Sequence, residues 1–580
     1  MPNALLDDPY VYTGASLLLG FACAGVFIGL LRIRAGKWVF LALALTGVAC
    51  VYALNPTHRI ASFHGFYHAS IVYQILNGTL PPQDPLMGGA WLSYPWAPHV
   101  ILAGIVAGTG LSVSWAMVLL NLAALSIALA LCYRLTAYFF EDNSPRLLAT
   151  GMAVFGATLL PERLYTLYVQ EYGIALDIHG TIPILRRFSN MNAMPVGVIL
   201  FVAYAILLLR VLTTEQGNMR THAALFATVL LCGMLYPFAL VALAAFGAGA
   251  GLVALSTRTA PMLRRVTAAG ISSALGAACA LPLPLMYVAG RTSGTSFALT
   301  TDIEAFAHKV LQEALILSPL ALLLLAQPRT VRDWYRGNPL RVQMVLAACI
   351  ALILLHLFIS GPDTSEAKWR AFAMILAGLF AAPAVHKLMT TKPAIAVAVL
   401  GLFFSLGMGD LAWKAARPDI VHEVAHEKGR FLHAAHPDED AIYTWIAENA
   451  PRNAVLVDSN INGSVFGRRA LYIMMPGRQV HGLLGWTYPP AQWVDEVHGR
   501  EPAEIQSRRA HSNAILSGAE PEAVKQALDH LAEAPFPVFI ISRWPEASAR
   551  LAAFPERTIQ ILAAGDLRLF EVRQVLHTPE

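Results

Sequence analysis

Acidic residues are almost missing from the start of this chain. Between Asp8 and Glu141 the sequence has a single carboxylate, Asp84. It lies in a polar, aromatic-rich segment, 55 to 99, which separates two strongly apolar regions. Because connections between membrane spans are usually short, a segment of this length and polarity is typical of a functional site at the membrane surface.

Charge and cysteine are scarce in the whole chain, and both shortages limit its class. Charged residues make up 13% of the sequence, hydrophobic residues 56%, and the mean hydropathy is +0.54. Soluble domains have roughly 25% charged residues, so a polytopic membrane protein is predicted. The six cysteines lie in apolar runs and none follows Cys349, which indicates neither a disulfide framework nor a thiolate metal site. A net charge of +4 without a basic block argues against nucleic acid as a partner.

Apolar stretches of about 20 residues, the length that crosses a bilayer, recur over the first 413 residues. We expect about twelve or thirteen transmembrane helices, and the number depends on whether a short apolar piece at 97 to 110 crosses the membrane. The other expected spans are 13 to 31, 38 to 54, 114 to 139, 146 to 160, 193 to 212, 222 to 239, 240 to 256, 266 to 288, 309 to 326, 341 to 360, 370 to 388 and 393 to 412.

Lysine and arginine collect in short loops, which the positive-inside rule places in the cytoplasm. Examples are the loop with Arg264 and Arg265 and the loop with Lys387 and Lys392. This orientation predicts that the opposite face holds the segments 55 to 96, 161 to 192, 289 to 308 and 361 to 369, and everything after about 413.

Beyond residue 413 the composition becomes that of a soluble domain. Asp438 can begin a helix that runs to Asn449. Strand-like runs at 454 to 458, 470 to 474, 537 to 542 and 568 to 572 are joined by helical stretches near 489 to 514 and 520 to 533. The pattern predicts a compact α/β domain that is large enough to bury a core and has no Gly-rich phosphate loop.

Several motifs together resemble a known family. The first loop combines an amphipathic helix, FYHASIVYQIL, with NGTLPPQDPLMGG and an aromatic SYPW. Later come PILRRFSNMNAMPVG at 183 to 197 and SEAKWRAF at 365 to 372. With its multispan core and its C-terminal α/β domain, the chain resembles the bacterial GT-C superfamily of membrane glycosyltransferases over its whole length.

The resemblance implies an enzyme of the bacterial inner membrane that moves a sugar from a polyprenyl-phosphate or polyprenyl-diphosphate carrier. The acceptor would be a glycan, a lipid or a protein on the periplasmic side. The implied fold is a polytopic α-helical membrane domain, 1 to 413, with periplasmic loops 55 to 96 and 161 to 192, and a periplasmic α/β domain, 435 to 580. Some members of the superfamily need a divalent cation and others do not, so a cation is possible here.

Transfer of the sugar requires a group that activates the acceptor. In the superfamily an acidic residue of the first loop does this, but ahead of the amphipathic helix this chain has His64. Asp84 is the first candidate, although within Pro-Pro-Gln-Asp-Pro it can equally be a turn residue that bonds its own backbone. His64 and His68 are spaced i, i+4 and share a helix face, where they could act together, hold a metal or only orient the helix.

The second loop, 161 to 192, adds Glu171 and Asp177 as further acids. Asp177 and His179 form an Asp-x-His pair, which alone is a weak metal signal. We expect the polar residues of the first and second loops to enclose a cavity at the membrane surface beneath the soluble domain.

The leaving phosphate requires cationic groups. Arg186 and Arg187 precede one span, Lys368 and Arg370 begin another, and both pairs are predicted on the same face. The same residues could instead be interfacial anchors. Tyr94 could stack on the sugar or belong to the aromatic belt of the interface.

Two other functions fit the sequence. A transporter or flippase of a lipid-linked solute would carry ionisable residues or broken helices inside the membrane. The polar residues of this chain gather in loops on one predicted face, which favours an enzyme. A non-catalytic relative of the superfamily remains the third reading, because His64 stands where an acid is expected.

Overall fold

The structure is a computed structural model that describes residues 9–33, 35–54, 63–155, 188, 193–214, 218–288, 298–360, 367–416, 437–459, 467–473 and 502–574. Contacts divide the chain into two compact units. Unit 1 comprises Met1–Pro56, Leu119–Pro284 and Ser296–Arg417, and unit 2 comprises Thr57–Val118, Leu285–Thr295 and Pro418–Glu580. The predicted boundary between 413 and 435 falls mostly on residues 417–436, outside the described residues.

The first 416 residues are almost entirely helical where they are described. In chain order the helices are α1 Pro9–Leu31, α2 Gly36–Leu54, α3 Phe63–Leu76, α4 Ala97–Thr109, α5 Val113–Thr136, α6 Asn143–Phe155, α7 Met194–Thr213, α8 Met219–Leu235, α9 Phe238–Ser256, α10 Ala260–Ala280, α11 Pro282–Val288, α12 Ile303–Ala326, α13 Pro328–Gly337, α14 Pro339–Phe358, α15 Ala367–Thr391 and α16 Pro393–Ala416. Each predicted span coincides with one or more of these helices.

Unit 1 contains most of the apolar helices. Within the described ranges, seven helices of the chain are long and apolar enough to cross a membrane, and α12, bent by 44° between Ser318 and Leu320, would be an eighth. The protein is therefore a multi-pass membrane protein. Helices α1 and α16 pack closely, because a Cβ added at Gly20 would meet the backbone oxygen of Gly401. Small residues permit such contacts between helices in lipid.

A short antiparallel pair of strands in unit 1 joins two helix ends. Strand β1, Ala298–Leu299, precedes α12, and β2, Ile359–Ser360, follows α14. Ala298 is paired with Ser360, and Leu299 with Ile359. The pair therefore fixes the start of α12 beside the end of α14.

The C-terminal part of unit 2 is the predicted α/β domain. Its helices are α17 Pro437–Asn449, α18 Pro502–Ser517, α19 Pro521–Ala532 and α20 Pro545–Ala552, and its strands are β3 Val455–Val457, β4 Ala470–Leu471, β5 Val538–Ser542, β6 Thr558–Ala564 and β7 Leu567–Val572. The sheet order is β4-β3-β5-β7-β6. Strand β3 is parallel to β4 and β5, whereas β7 is antiparallel to β5 and β6. The core contains Ile442, Ile446, Leu456, Phe539 and Leu569.

The first loop belongs to the same unit as this sheet. Gly88 N–H donates to the oxygen of Leu471 at 2.5 Å, and Leu471 N–H donates to the oxygen of Pro85 at 2.9 Å. At the end of α3, Asn77 Nδ2 donates to the oxygen of Arg468 at 3.0 Å. These contacts join the first loop to the C-terminal domain within one compact unit.

Candidate active site

Asp84 lies at the centre of a tight turn in the first loop. Its side chain is fully buried. Its Oδ1 accepts a hydrogen bond from Leu86 N–H at 2.9 Å, and its own N–H donates to the oxygen of Ala90 at 3.0 Å. The geometry is that of the turn that Pro-Pro-Gln-Asp-Pro can form. It fixes the position of the carboxylate, and a catalytic role of Asp84 remains a prediction.

His68 lies beside a residue that the sequence analysis did not pair with it, His99. His68 Nδ1 is 2.7 Å from His99 Nε2, and the side chains are 1% and 2% exposed. The ring centroids are 4.9 Å apart and the ring planes differ by 18°. The centroid distance exceeds the distance between the two nitrogens by about the sum of the two ring radii. The two nitrogens therefore lie nearly on the line between the ring centres, and the hydrogen bond lies close to the ring planes.

The second nitrogen of His99 decides where the protons lie. His99 Nδ1 is 3.2 Å from the oxygen of Trp96. A carbonyl oxygen only accepts, so neutral His99 carries its proton on Nδ1 and accepts at Nε2. His68 must then donate from Nδ1, which leaves the basic lone pair of its imidazole on Nε2. A base oriented by a second group in this way is typical of acid–base sites.

Tyr94 lies in the same aromatic cluster. Its ring centroid is 5.3 Å from that of Tyr67 and 5.7 Å from that of His68, with edge-to-face geometry in both pairs. Tyr94 is partly exposed, whereas Tyr67 is fully buried. The sequence predicts Tyr94 as a sugar-stacking residue, and the structure gives it these aromatic neighbours.

A buried charged cluster in unit 1 contains Arg370, which the sequence predicts as a phosphate ligand. Arg370 is fully buried on α15, and its Nη1 donates to Glu313 Oε1 on α12 at 3.2 Å. His356 Nε2 on α14 lies 3.4 Å from both of these atoms. A phosphate bound by Arg370 would compete with Glu313 for the guanidinium.

Two lysines lie close to this cluster in the sequence. Lys368 is partly buried, with Nζ 4.5 Å from the ring centroid of Phe238. Lys309, one helical turn before Glu313, donates to the oxygen of Ile359 at 2.8 Å and to Ser360 Oγ at 3.1 Å. Lys309 therefore anchors α12 to the end of α14.

The remaining predicted residues lie outside the described part of the structure. Glu171, Asp177, Arg186 and Arg187 are not described, and neither is the second loop apart from residue 188, so the predicted cavity also lies outside the described residues. His64 lies in α3, but its side chain is outside the description. Among the described residues no group of three His, Cys, Asp or Glu side chains could hold a metal ion.

The sequence analysis missed Glu313, His356 and Lys309. A usable signal was present, because each is an ionisable residue within or beside an apolar run, which is costly in a membrane unless the residue has a partner. The partners themselves come from three helices that are distant in sequence. Their pairing therefore could not be read from spacing along one helix.

Neither a family model nor a curated protein sequence matches the chain. Among solved structures, the fold is similar to ArnT from Cupriavidus metallidurans bound to undecaprenyl phosphate, with 10% identity and a TM-score of 0.50 over 94% of this chain and 100% of that one. ArnT in the apo state gives 11% identity and 0.49 over the same shares. The Archaeoglobus fulgidus oligosaccharyltransferase in complex with Zn and sulfate has 12% identity and a TM-score of 0.41 over 86% of this chain and 68% of that one. The likeness to undecaprenyl-phosphate-bound ArnT shows the fold, and the predicted architecture of a polytopic helical membrane protein with a C-terminal α/β domain is confirmed.

Proposed function

We propose that the protein is an integral-membrane glycosyltransferase that moves a sugar from a polyprenyl-phosphate or polyprenyl-diphosphate carrier to an acceptor on the periplasmic face. The observation that carries the proposal is the likeness, over 94% of the chain, to a structure bound to undecaprenyl phosphate. A lipid phosphate as leaving group fits a membrane fold that bears cationic residues at the start of a span. Because one fold can serve several functions, the chemistry must come from particular side chains.

Acceptor activation is assigned to the first loop. Asp84 supplies a carboxylate in a fixed turn, and His68 supplies an imidazole whose basic nitrogen is set by His99. Either group could accept the proton of the acceptor as the bond to the anomeric carbon forms. His64 on the same helix as His68, and then Glu171 and Asp177, are the remaining candidates.

Carrier binding is assigned to Lys368, Arg186, Arg187 and Arg370. Lys368 and Arg370 begin the same helix, α15, where a lipid phosphate at the membrane surface would meet them. Arg370 has Glu313 as an ion-pair partner, so the carboxylate offsets part of the positive charge that Arg370 would offer a phosphate.

Binding of undecaprenyl phosphate to the purified protein in nanodiscs tests this assignment. Lys368→Ala should weaken binding by about 10- to 150-fold, the equivalent of one charge-assisted hydrogen bond of about 1.5 to 3 kcal/mol. Lys392→Ala, which removes an exposed lysine at the other end of α15, is the matched control and should bind normally. Equal affinities of the wild type and Lys368→Ala would remove Lys368 from the carrier site.

A transporter of a lipid-linked solute is the second candidate, and the buried cluster of Glu313, His356 and Arg370 supports it. Ionisable residues inside helices are what that function requires. The two candidates differ in chemistry, since a transferase releases the free carrier and a transporter leaves the sugar–phosphate bond intact. Movement of a fluorescent polyprenyl-phosphate sugar across a vesicle membrane without release of carrier would favour the transporter.

A further inference from the structure

A segment of the first loop extends the sheet of the α/β domain. Strand β4 lies at one edge of the sheet, with β3 on its other side. Pro85 and Gly88 exchange two backbone hydrogen bonds with Leu471 of β4. The loop therefore covers an edge that would otherwise expose unpaired backbone groups, as an added strand does when a peptide binds a sheet edge.

Gly88 permits this close contact. A Cβ added at Gly88 would lie 2.6 Å from Val455 Cγ1 and 2.9 Å from the oxygen of Leu471. Any side chain at this position would push the loop away from β3 and β4. The backbone of the loop at Gly88 therefore lies directly against the sheet, with no side chain of its own between them.

Arg508 of α18 joins the loop to the sheet from a third element. Its Nη1 donates to the oxygen of Gly88 at 2.7 Å and to the oxygen of Tyr472 at 3.0 Å. Its Nη2 is paired with Glu504 Oε1 at 3.0 Å, and its Cζ lies 5.0 Å from the ring centroid of Tyr472. The planar guanidinium can serve these acceptors together because its donors form a rigid fork.

The turn held in this way is the turn of Asp84. Asp84 directly precedes Pro85, and its carbonyl oxygen accepts from Met87 N–H at 3.2 Å, so the bonded residues and the carboxylate share one turn. We propose that Arg508 is a positioning residue through which the α/β domain holds the Asp84 turn of the first loop in place. This inference rests on the proposed function only where it concerns catalysis by Asp84.

Hydrogen exchange of the full-length protein in nanodiscs tests, without any substrate, whether Arg508 holds the Asp84 turn in place. In Arg508→Met the amides of Gly88 and Leu471 should exchange at least about tenfold faster, as expected when a charge-assisted hydrogen bond across a contact is lost. The amides of β5 should keep their wild-type protection. Gln506→Met, on the exposed side of the same helix, is the matched control and should exchange like the wild type.

Arg508→Lys covers the case in which the methionine variant does not fold. Lysine keeps the charge beside Glu504 but not the fork, so exchange at Gly88 and Leu471 should lie between the wild type and Arg508→Met. Unchanged exchange in both variants would overturn the proposal. It would also be overturned if the lysine variant loosened β5 as much as the loop, because Arg508 would then stabilise the whole domain.

Whether catalysis depends on this contact has a separate readout, release of free carrier from an extract of bacterial lipid-linked sugars to which the lipids, glycans and proteins of the cell envelope are added as acceptors. Arg508→Met should lower the maximal rate at least about tenfold while undecaprenyl phosphate binds with unchanged affinity, and Arg508→Lys should restore part of the rate. Normal release of carrier by Arg508→Met, despite faster exchange of the Gly88 amide, would show that Arg508 holds the turn but that the reaction does not depend on it. If the wild type releases no carrier, the proposed function fails, whereas the exchange result still decides whether Arg508 holds the turn.

Discussion

Arg543 is the centre of a buried charge network in the α/β domain. It follows β5, and Asp458 follows the neighbouring parallel strand β3, so both side chains lie at the same edge of the sheet. Arg543 Nη2 is 3.0 Å from Asp458 Oδ1 and donates to Tyr443 Oη at 2.8 Å, and Nη1 pairs with Glu439. Burial alone would lower the pKa of Arg543, but the carboxylates of Asp458 and Glu439 raise it above its usual range.

Removal of this guanidinium should be costly. Arg543→Met leaves two carboxylates buried without their cation, and the free energy of unfolding should fall by about 3 to 5 kcal/mol. Arg557→Met is the matched control, because the ion pair of Arg557 with Asp529 is 32% and 38% exposed and should contribute at most about 1 kcal/mol. Proteolysis of the full-length protein in increasing urea measures both changes. Equal resistance of the two variants would show that the network is not a stabilising feature.

Sequence patterns at the scale of whole elements predicted most of the fold. Runs of about 20 apolar residues indicated the helices of the first 416 residues, although among the described residues only seven or eight helices are long and apolar enough to cross a membrane, against the twelve or thirteen expected. Strand-like runs indicated β3, β4, β5 and β7. Strand β6 was missed although TIQILAA, followed by Gly-Asp and LRLFEV, carries a hairpin signal, and helices α13 and α20 were missed because they are short and polar. Contacts between distant segments were beyond this reasoning, above all the pairing of Pro85–Gly88 with β4, which no local pattern specifies.

The candidate site was predicted less fully than the fold. Residue type and loop position pointed to Asp84, His68 and Arg370, whose surroundings the structure describes. Their partners Glu313 and His99 depend on which helices pack together, and packing in the membrane leaves little trace in a sequence that is apolar throughout. The roles of the named residues remain predictions.

Helices α18 and α19 meet at two histidines, and the protonation of one of them, His511, should affect stability. The rings of His511 and His530 are 4.3 Å apart. Burial, and then the charge of His530, lower the pKa of His511 from its ordinary value of 6.5. The unfolded chain therefore binds more protons as the pH falls below about 6.5, and the stabilisation present above that pH is lost on the acid side.

His511→Gln removes this titration while it keeps a polar side chain. Between pH 7.5 and pH 5.5 the thermal midpoint of the full-length wild type, followed by tryptophan fluorescence in detergent, should fall by more than that of the variant. His308→Gln in unit 1 is a control that leaves the pair intact and should behave like the wild type. If the wild type and His511→Gln lose the same number of degrees, the histidine pair does not sense pH in this range.

For the whole molecule, the orientation in the membrane follows from the positions of its basic loops. The positive-inside rule predicts that residue 215 faces the cytoplasm and residue 420 faces the periplasm. Fusions of alkaline phosphatase and of a cytoplasmic fluorescent reporter after each residue measure this directly. An active phosphatase after residue 420 and an inactive one after 215 are expected. A cytoplasmic signal after residue 420 would place the α/β domain, and with it the first loop of the same unit, on the wrong side for a periplasmic transferase.

The most direct test of the whole account is release of the free carrier by the purified protein in nanodiscs, measured by mass spectrometry on an extract of bacterial lipid-linked sugars to which the lipids, glycans and proteins of the cell envelope are added as acceptors. The account predicts time-dependent release of undecaprenyl phosphate or diphosphate by the wild type. In a double variant, Asp84→Asn with His64→Ala, release should fall by on the order of 10² to 10⁴ while undecaprenyl phosphate still binds. A wild-type rate in the double variant would leave His68 as the base, and an unchanged rate in His68→Ala as well would move the base elsewhere, with Glu171 and Asp177 next in line. A wild-type protein that binds the lipid-linked sugars but leaves every one of them intact would contradict the assignment as a glycosyltransferase.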